Sequence, residues 1–185
     1  MKALAAPTLL RIPADQLARQ AREKFGGELR RAGSFAQLCM LGASACLDAA
    51  PRAASLGVLW ASAYGARSAT HAALAEAASG DPVMPFTFVA TQPHLAATLL
   101  AQRGAPVTRA AFVHVPPPDW PMLLVLAQSW LGRCEAVLLG WVEEAEGPGE
   151  HRSDWCLLRG EPAPVSRESL PATFSDWLAG AASTS

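Results

Sequence analysis

The chain has 185 residues, with 15 Lys and Arg against 16 Asp and Glu, and 51% of them are hydrophobic. That is long enough for one substantial core, too apolar for a disordered chain, and too balanced in charge for an electrostatic nucleic-acid binder. No apolar run approaches the ~20 residues of a membrane span, and the opening stretch, broken at Pro7, lacks the form of a secretory leader. The expected setting is the cytoplasm. Cys39, Cys46, Cys134 and Cys156 make no Cys-x-x-Cys pair and stand at no zinc spacing from a histidine, so neither a metal nor a cofactor is expected. Six tryptophans in so apolar a chain point toward a buried subunit interface.

Residues 1–12 are apolar and irregular, an opening strand or a clasp, and 1–29 reads as an N-terminal extension. Residues 13–25 form a short helix ended by Gly26-Gly27. After Arg30 and Arg31 comes a longer helix over 34–49, with Phe35, Leu38, Cys39, Leu41 and Leu47 facing the core. Pro51 breaks it, 54–61 is a strand, and Ser62-Ala63-Tyr64-Gly65 a turn. Ser68 or Thr70 can cap the next helix, which runs to Ala78 and closes at Gly80-Asp81-Pro82. His71 in its first turn reads as a neutral histidine, since a positive charge there opposes the helix dipole. In Met84-Pro85-Phe86-Thr87-Phe88-Val89-Ala90-Thr91-Gln92-Pro93-His94 the two phenylalanines, two apart, read as core-filling residues of a strand. A helix follows over 95–102.

Residues 110–141 organise the rest. A short buried strand over 111–115 runs into Pro116, Pro117 and Pro118, which fix φ and lack backbone donors. Asp119 is placed to cap a helix with Pro121 in its first turn, and its nearly all-apolar residues 122–131 call for burial on most sides. Gly132 stops that helix and 136–141 is the next strand, completing a βαβ unit. His114 reads as a satisfied buried histidine. Cys134 lies in an exposed turn, where Arg133 could lower its pKa. Residues 143–153 are acidic and glycine-containing, an exposed loop that includes His151. The run from Trp155 to Arg159 returns antiparallel to 136–141. Phe174, Trp177 and Leu178 mark a terminal amphipathic helix, with 180–185 as a frayed tail. No strand-loop-helix context supports a phosphate loop.

The strand, elbow and buried helix resemble the nucleophile region of β-ketoacyl synthases of the thiolase superfamily. Ala127 fits the small residue of the buried helix, Gly132 and Glu135 the turn, and Gly140 the strand end. Counting back from Ala127 puts the family's catalytic cysteine position on Pro117. Proline offers neither a thiolate nor an N–H to stabilise an oxyanion. A second resemblance lies upstream: Ser62, Tyr64 and Gly65 fit a Ser-x-Tyr-Gly turn, and Pro85, Phe88 and Thr91 fit a Ser-Pro-x-x-Phe-x-x-Ser-x-x-Asn segment. Met84 and His94 depart from its serine and asparagine.

The resemblance implies an α/β, thiolase-like fold: the N-terminal half of a ketosynthase as one domain over 1–185, with a central mixed sheet and a buried helix after the elbow Pro116–Pro118. It implies no catalytic residue, and no second half supplying the family's two histidines. It points to a chain-length-factor-type subunit like those of aryl polyene and dialkylresorcinol clusters. Such a subunit forms a heterodimer with a full-length β-ketoacyl synthase and bounds its acyl channel, with an acyl carrier protein engaged through the partner. The segment over 84–94 then belongs to the subunit interface, making Phe86, Phe88, Thr91, His94, His114 and Trp120 the acyl-channel or interface candidates. A stand-alone acyl-thioester transferase or hydrolase using Cys134 or His114 is the alternative, and an unrelated α/β binding domain a third.

Overall fold

A computed structural model describes residues 2–3, 7–80, 82–160 and 170–182. Six strands form one mixed sheet in the order β1-β6-β5-β3-β4, with β2 also paired to β6. They are β1 (Lys2–Ala3), β2 (Thr8–Pro13), β3 (Leu56–Ser62), β4 (Val107–His114), β5 (Ala136–Glu143) and β6 (Glu150–Arg159). β3 lies between β4 and β5 and is parallel to both, whereas β6 is antiparallel to β5 and to β2. β3 and β5 are apolar almost without interruption because helices cover both of their faces. Among the described residues β4 has a single partner strand, and it is only half-buried, unlike the buried strand that its β-branched run suggests.

One face carries α1 (Leu17–Phe25), α2 (Gly33–Asp48) and α5 (Leu95–Gln102), whose apolar residues join Leu56, Val58 and Trp60 in a core. The expected N-terminal extension is integral: Ile12 is buried from β2, and α1 packs Leu17, Ala21 and Phe25 against α2. α3 (Arg67–Ala78) and α4 (Pro85–Ala90) pack on α2 and on each other, and neither has a fully buried residue. The other face carries α6 (Pro121–Leu131) and α7 (Phe174–Ala182), which join Leu59, Ala61, Val137 and Leu139 in a second core. The chain passes from β4 through α6 to β5, stepping over β3.

Two glycines make room for one indole. Trp155, facing Gly140 across the β5–β6 ladder, is fully buried, and a Cβ on Gly140 or on Gly42 of α2 would collide with its ring. Its Nε1 donates to Ser153 Oγ at 2.8 Å, and that hydroxyl donates to Leu38 O at 2.9 Å. Nearby, Asp154 is fully buried and accepts hydrogen bonds from Arg11 of β2 and Ser175 of α7, fastening both ends of the described chain to β6.

Several expectations are corrected. The loop assigned to 143–153 shrinks to a turn over 144–149, because Glu143 ends β5 and Glu150 begins β6. His151 is buried on that strand, and its Nδ1 accepts the Ala145 N–H at 2.9 Å; burial lowers its pKa from the ordinary value. The segment over 84–94 holds the helix α4, not a strand, and Glu76 accepts from Met84 N at 2.8 Å and Thr87 Oγ1 at 2.9 Å across its start. Neither Ser68 nor Thr70 caps α3. Glu144 reaches in from the β5–β6 turn and accepts the Ser68 N–H at 2.8 Å. Asp119 lies in a 3₁₀ turn and makes no side-chain cap on α6, whose Val125 and Ser129 are exposed. α7 continues to Ala182, into the stretch expected to fray. Asp81, in the expected close of the helix before it, and the tail at 183–185 lie outside the described residues.

Candidate functional site

β4 ends at His114, and the Val115 N–H donates to Ser62 O at 3.2 Å, so the chain turns beside the carboxyl end of β3. Pro116 is extended, Pro117–Asp119 form the 3₁₀ turn, and α6 starts at Pro121. Pro117 is exposed on the rim of a cavity of about 230 Å³ walled by Trp120, Trp141 and Phe174. Among the described residues, the lining of this cavity contains no cysteine and no histidine. Its charged members are committed to structure. Glu143 accepts from Ser62 Oγ at 2.9 Å and from the Ala63 N–H, and burial raises its pKa from the carboxylate norm. Arg152 donates to Ser175 Oγ at 2.7 Å. The described lining thus brings no thiol or imidazole to Pro117, and its carboxylates and guanidinium are held by structural partners.

Cys134 is buried in the turn before β5, contrary to its expected exposure, with its Sγ 3.6 Å from Thr108 Oγ1. His114, expected to be buried, is exposed at the far end of the edge strand. The register pairs His114 with Ser62, whereas Cys134 precedes Ala136, which pairs with Leu56. Six strand residues, about 20 Å, separate the two levels of the sheet. These two groups cannot serve one reaction centre. Cys39, Cys46 and Cys156 are core residues: burial pushes the Cys46 thiol up to about 12 and those of Cys39 and Cys156 well above the ordinary range.

The opposite side of β3 from the α6 core presents a different surface. Phe86 and Phe88 of α4 stand exposed beside Met84 and Val89, and Leu74 of α3 is exposed as well. The guanidinium of Arg31 lies 4.6 Å over the Phe86 ring, and that of Arg67 lies 3.9 Å over exposed Tyr64. Thr91 turns its hydroxyl to Phe88 O at 2.7 Å, which closes α4 rather than reaching outward. His94 packs edge-on against buried Trp60 at 5.6 Å. Trp60 in turn meets Phe112, the β4 residue beside it in the ladder, and α5 packs against β4. Phe86, Phe88, Thr91 and His94 thus belong to one surface, and His114 stands near it on the sheet face that Phe112 shares.

Trp120 does not join them. It is buried on the other side of the sheet against Phe174 and Trp177, with its Nε1 donating to Pro171 O at 3.0 Å. Sequence reasoning placed Tyr64 only in a turn and missed Leu74 and the edge that β4 forms among the described residues. The available signal was α3 itself, where Leu74 is the lone large apolar residue in a run of alanines and has no apolar stripe to share.

No family model and no curated protein matches the sequence. Solved structures do match the fold. One is the ketosynthase ApeO in complex with its chain length factor ApeC from Xenorhabdus doucetiae, with a TM-score of 0.64 at 12% identity, over 87% of this chain and 80% of that one. Another is the ishigamide ketosynthase/chain length factor, with a TM-score of 0.59 at 18% identity, over 78% of this chain and 48% of that one. The protein thus has the α/β, thiolase-like fold of ketosynthase and chain-length-factor chains, and it spans about half the length of the second of them.

Proposed function

We propose that this chain is a non-catalytic, chain-length-factor-type subunit that pairs with an active β-ketoacyl synthase and bounds its acyl channel in polyketide-type, aryl polyene-like biosynthesis. The observation that carries this reading is the set of exposed apolar side chains on α3 and α4, in a sheet whose eight-residue strand β4 has one partner among the described residues. Proteins normally shield an open strand edge with prolines, charges or a covering element, because its free N–H and C=O groups recruit another chain. β4 carries a single charged residue, Arg109, and no proline. Exposed aromatic side chains such as Phe86 and Phe88 are the composition of an interface centre.

Two further points support it. The resemblance puts the family's nucleophile position on Pro117, which supplies no thiolate, so on this reading any chemistry belongs to the partner. In both similar structures a ketosynthase occurs together with a chain length factor. The subunit acts sterically: α4 and the end of β4 close one side of the partner's channel, with Phe86 and Phe88 as the blocking groups. An acyl carrier protein is engaged through the partner, in the cytoplasm; among the described residues no helix is long and apolar enough to cross a membrane.

The test is affinity capture of the tagged chain from its native host, with mass spectrometry of what co-purifies. A stoichiometric β-ketoacyl synthase is the expected result. A chain that returns alone, as a stable monomer, refutes the proposal.

A further inference from the structure

A cavity of about 670 Å³ lies away from the elbow, between α1, the turn at Gly26-Gly27 and the start of α2. Its floor is apolar, with Ala21 and Leu29 buried beneath it. Its charged lining residues are Arg22 and Arg30, and no carboxylate lines it. The acidic residues of this region are turned to other partners: Glu23 pairs with Arg19, Glu28 with Arg103, and Asp48 with Lys24. Arg22 and Arg30 form no ion pair among the described residues. Gln37 holds the loop that carries Arg30, donating from Nε2 to Leu29 O at 3.0 Å.

Two like charges gathered on one concavity repel each other, and guanidinium forks match oxyanions in geometry as well as in charge. We propose that this cavity binds an anion carried on an apolar body, its carboxylate or phosphate held between Arg22 and Arg30 and its hydrocarbon part on Ala21 and Leu29. The site is separate from the α3–α4 surface, so it stands whether or not the chain pairs with a ketosynthase.

Isothermal titration of the full chain with octanoate, octyl phosphate, inorganic phosphate and octanol tests it. Octanoate or octyl phosphate should bind, the tighter of the two identifying the head group, and octanol should not. The double variant Arg22→Gln/Arg30→Gln should weaken binding by about tenfold or more, as expected for losing hydrogen bonds to a charged group. Ala18→Glu gives an independent check, since Ala18 also lines the cavity and is exposed, and a glutamate there stands four residues before Arg22. That spacing offers Arg22 an internal carboxylate and supports the helix, so binding should fall while the melting temperature holds. Binding of octanol as tight as octanoate would overturn the anion site, and octyl phosphate no tighter than inorganic phosphate would overturn the apolar body. No binding by any probe, or binding that neither variant moves, would overturn the proposal entirely.

Discussion

Replacing Phe86 and Phe88 together by glutamate separates docking from folding. In the isolated chain these side chains are 53% and 59% exposed, so the substitution removes little internal packing. The stack on Arg31 is exchanged for a carboxylate beside the same guanidinium. Folding stability should therefore stay within about 0.5 kcal/mol of the parent, the usual range for surface changes. Against a partner the count differs. A phenylalanine presents about 200 Å², so the exposed parts of the two rings offer roughly 220 Å², or about 5 kcal/mol at 25 cal/mol/Å² if wholly buried. Ordering and imperfect fit reduce that figure, and about 2–3 kcal/mol should survive, which weakens affinity by about 30- to 150-fold. The assay is surface plasmon resonance against the co-purifying ketosynthase, with thermal melts of both proteins alongside. Unchanged affinity would remove α4 from the interface. A melting point several degrees lower would show that these rings support the fold instead.

Other changes address the core, the elbow and the buried carboxylate. Gly140→Ala should cost about 1–3 kcal/mol or more, read as a lower urea midpoint, because Trp155 is fully buried and has no room to retreat from a new methyl group. Pro117→Cys should give a thiol that iodoacetamide alkylates no faster than an unperturbed cysteine, since the surrounding cavity holds no histidine; a strongly accelerated reaction would reveal an activating group. Glu143 has its folded-state pKa raised above the ordinary 4.5 by burial, so the native state holds its proton more tightly than the unfolded chain. Its contribution to stability is therefore greatest below the unfolded value and declines as pH rises through the folded one. Urea titrations of Glu143→Gln across that interval should lack this decline, and an unaltered pH slope would assign it to another group.

The elbow was legible in the sequence because three consecutive prolines leave a strand no way to continue, and residues 116–118 turn where they must. The β5–β6 hairpin was legible from its two apolar runs. Its turn was overestimated because Glu143, Glu144, Glu150 and His151 look solvent-bound, whereas the structure buries Glu144 and His151 by giving them backbone and hydroxyl partners. Phe86 and Phe88 were misjudged for a related reason. Two phenylalanines at alternate positions mimic a strand, but Pro85 opens a helix there and Glu76, nine residues earlier than Pro85, holds its first turn. Which faces stay uncovered is a property of the layers. In α3 the missing apolar stripe around Leu74 hinted at an uncovered helix, but no local pattern in β4 could have told that it ends the described sheet. Trp120 shows the converse, since its burial depends on α7, some fifty residues away.

The pairing of β2 with β6 sets an order of events for a chain emerging from the ribosome. Leu9 faces Asp154 and Ile12 faces His151 in that ladder. β2 thus waits about 140 residues for its neighbour, long after α2, β3 and the elbow have been synthesised. During that interval Ile12 and the groups around Arg11 remain in water, and β5 lacks its antiparallel cover. Closure of the outer strand is a late step, and a nascent chain stalled before residue 150 would expose two apolar sheet edges at once, the one that β6 later fills and the one that β4 keeps.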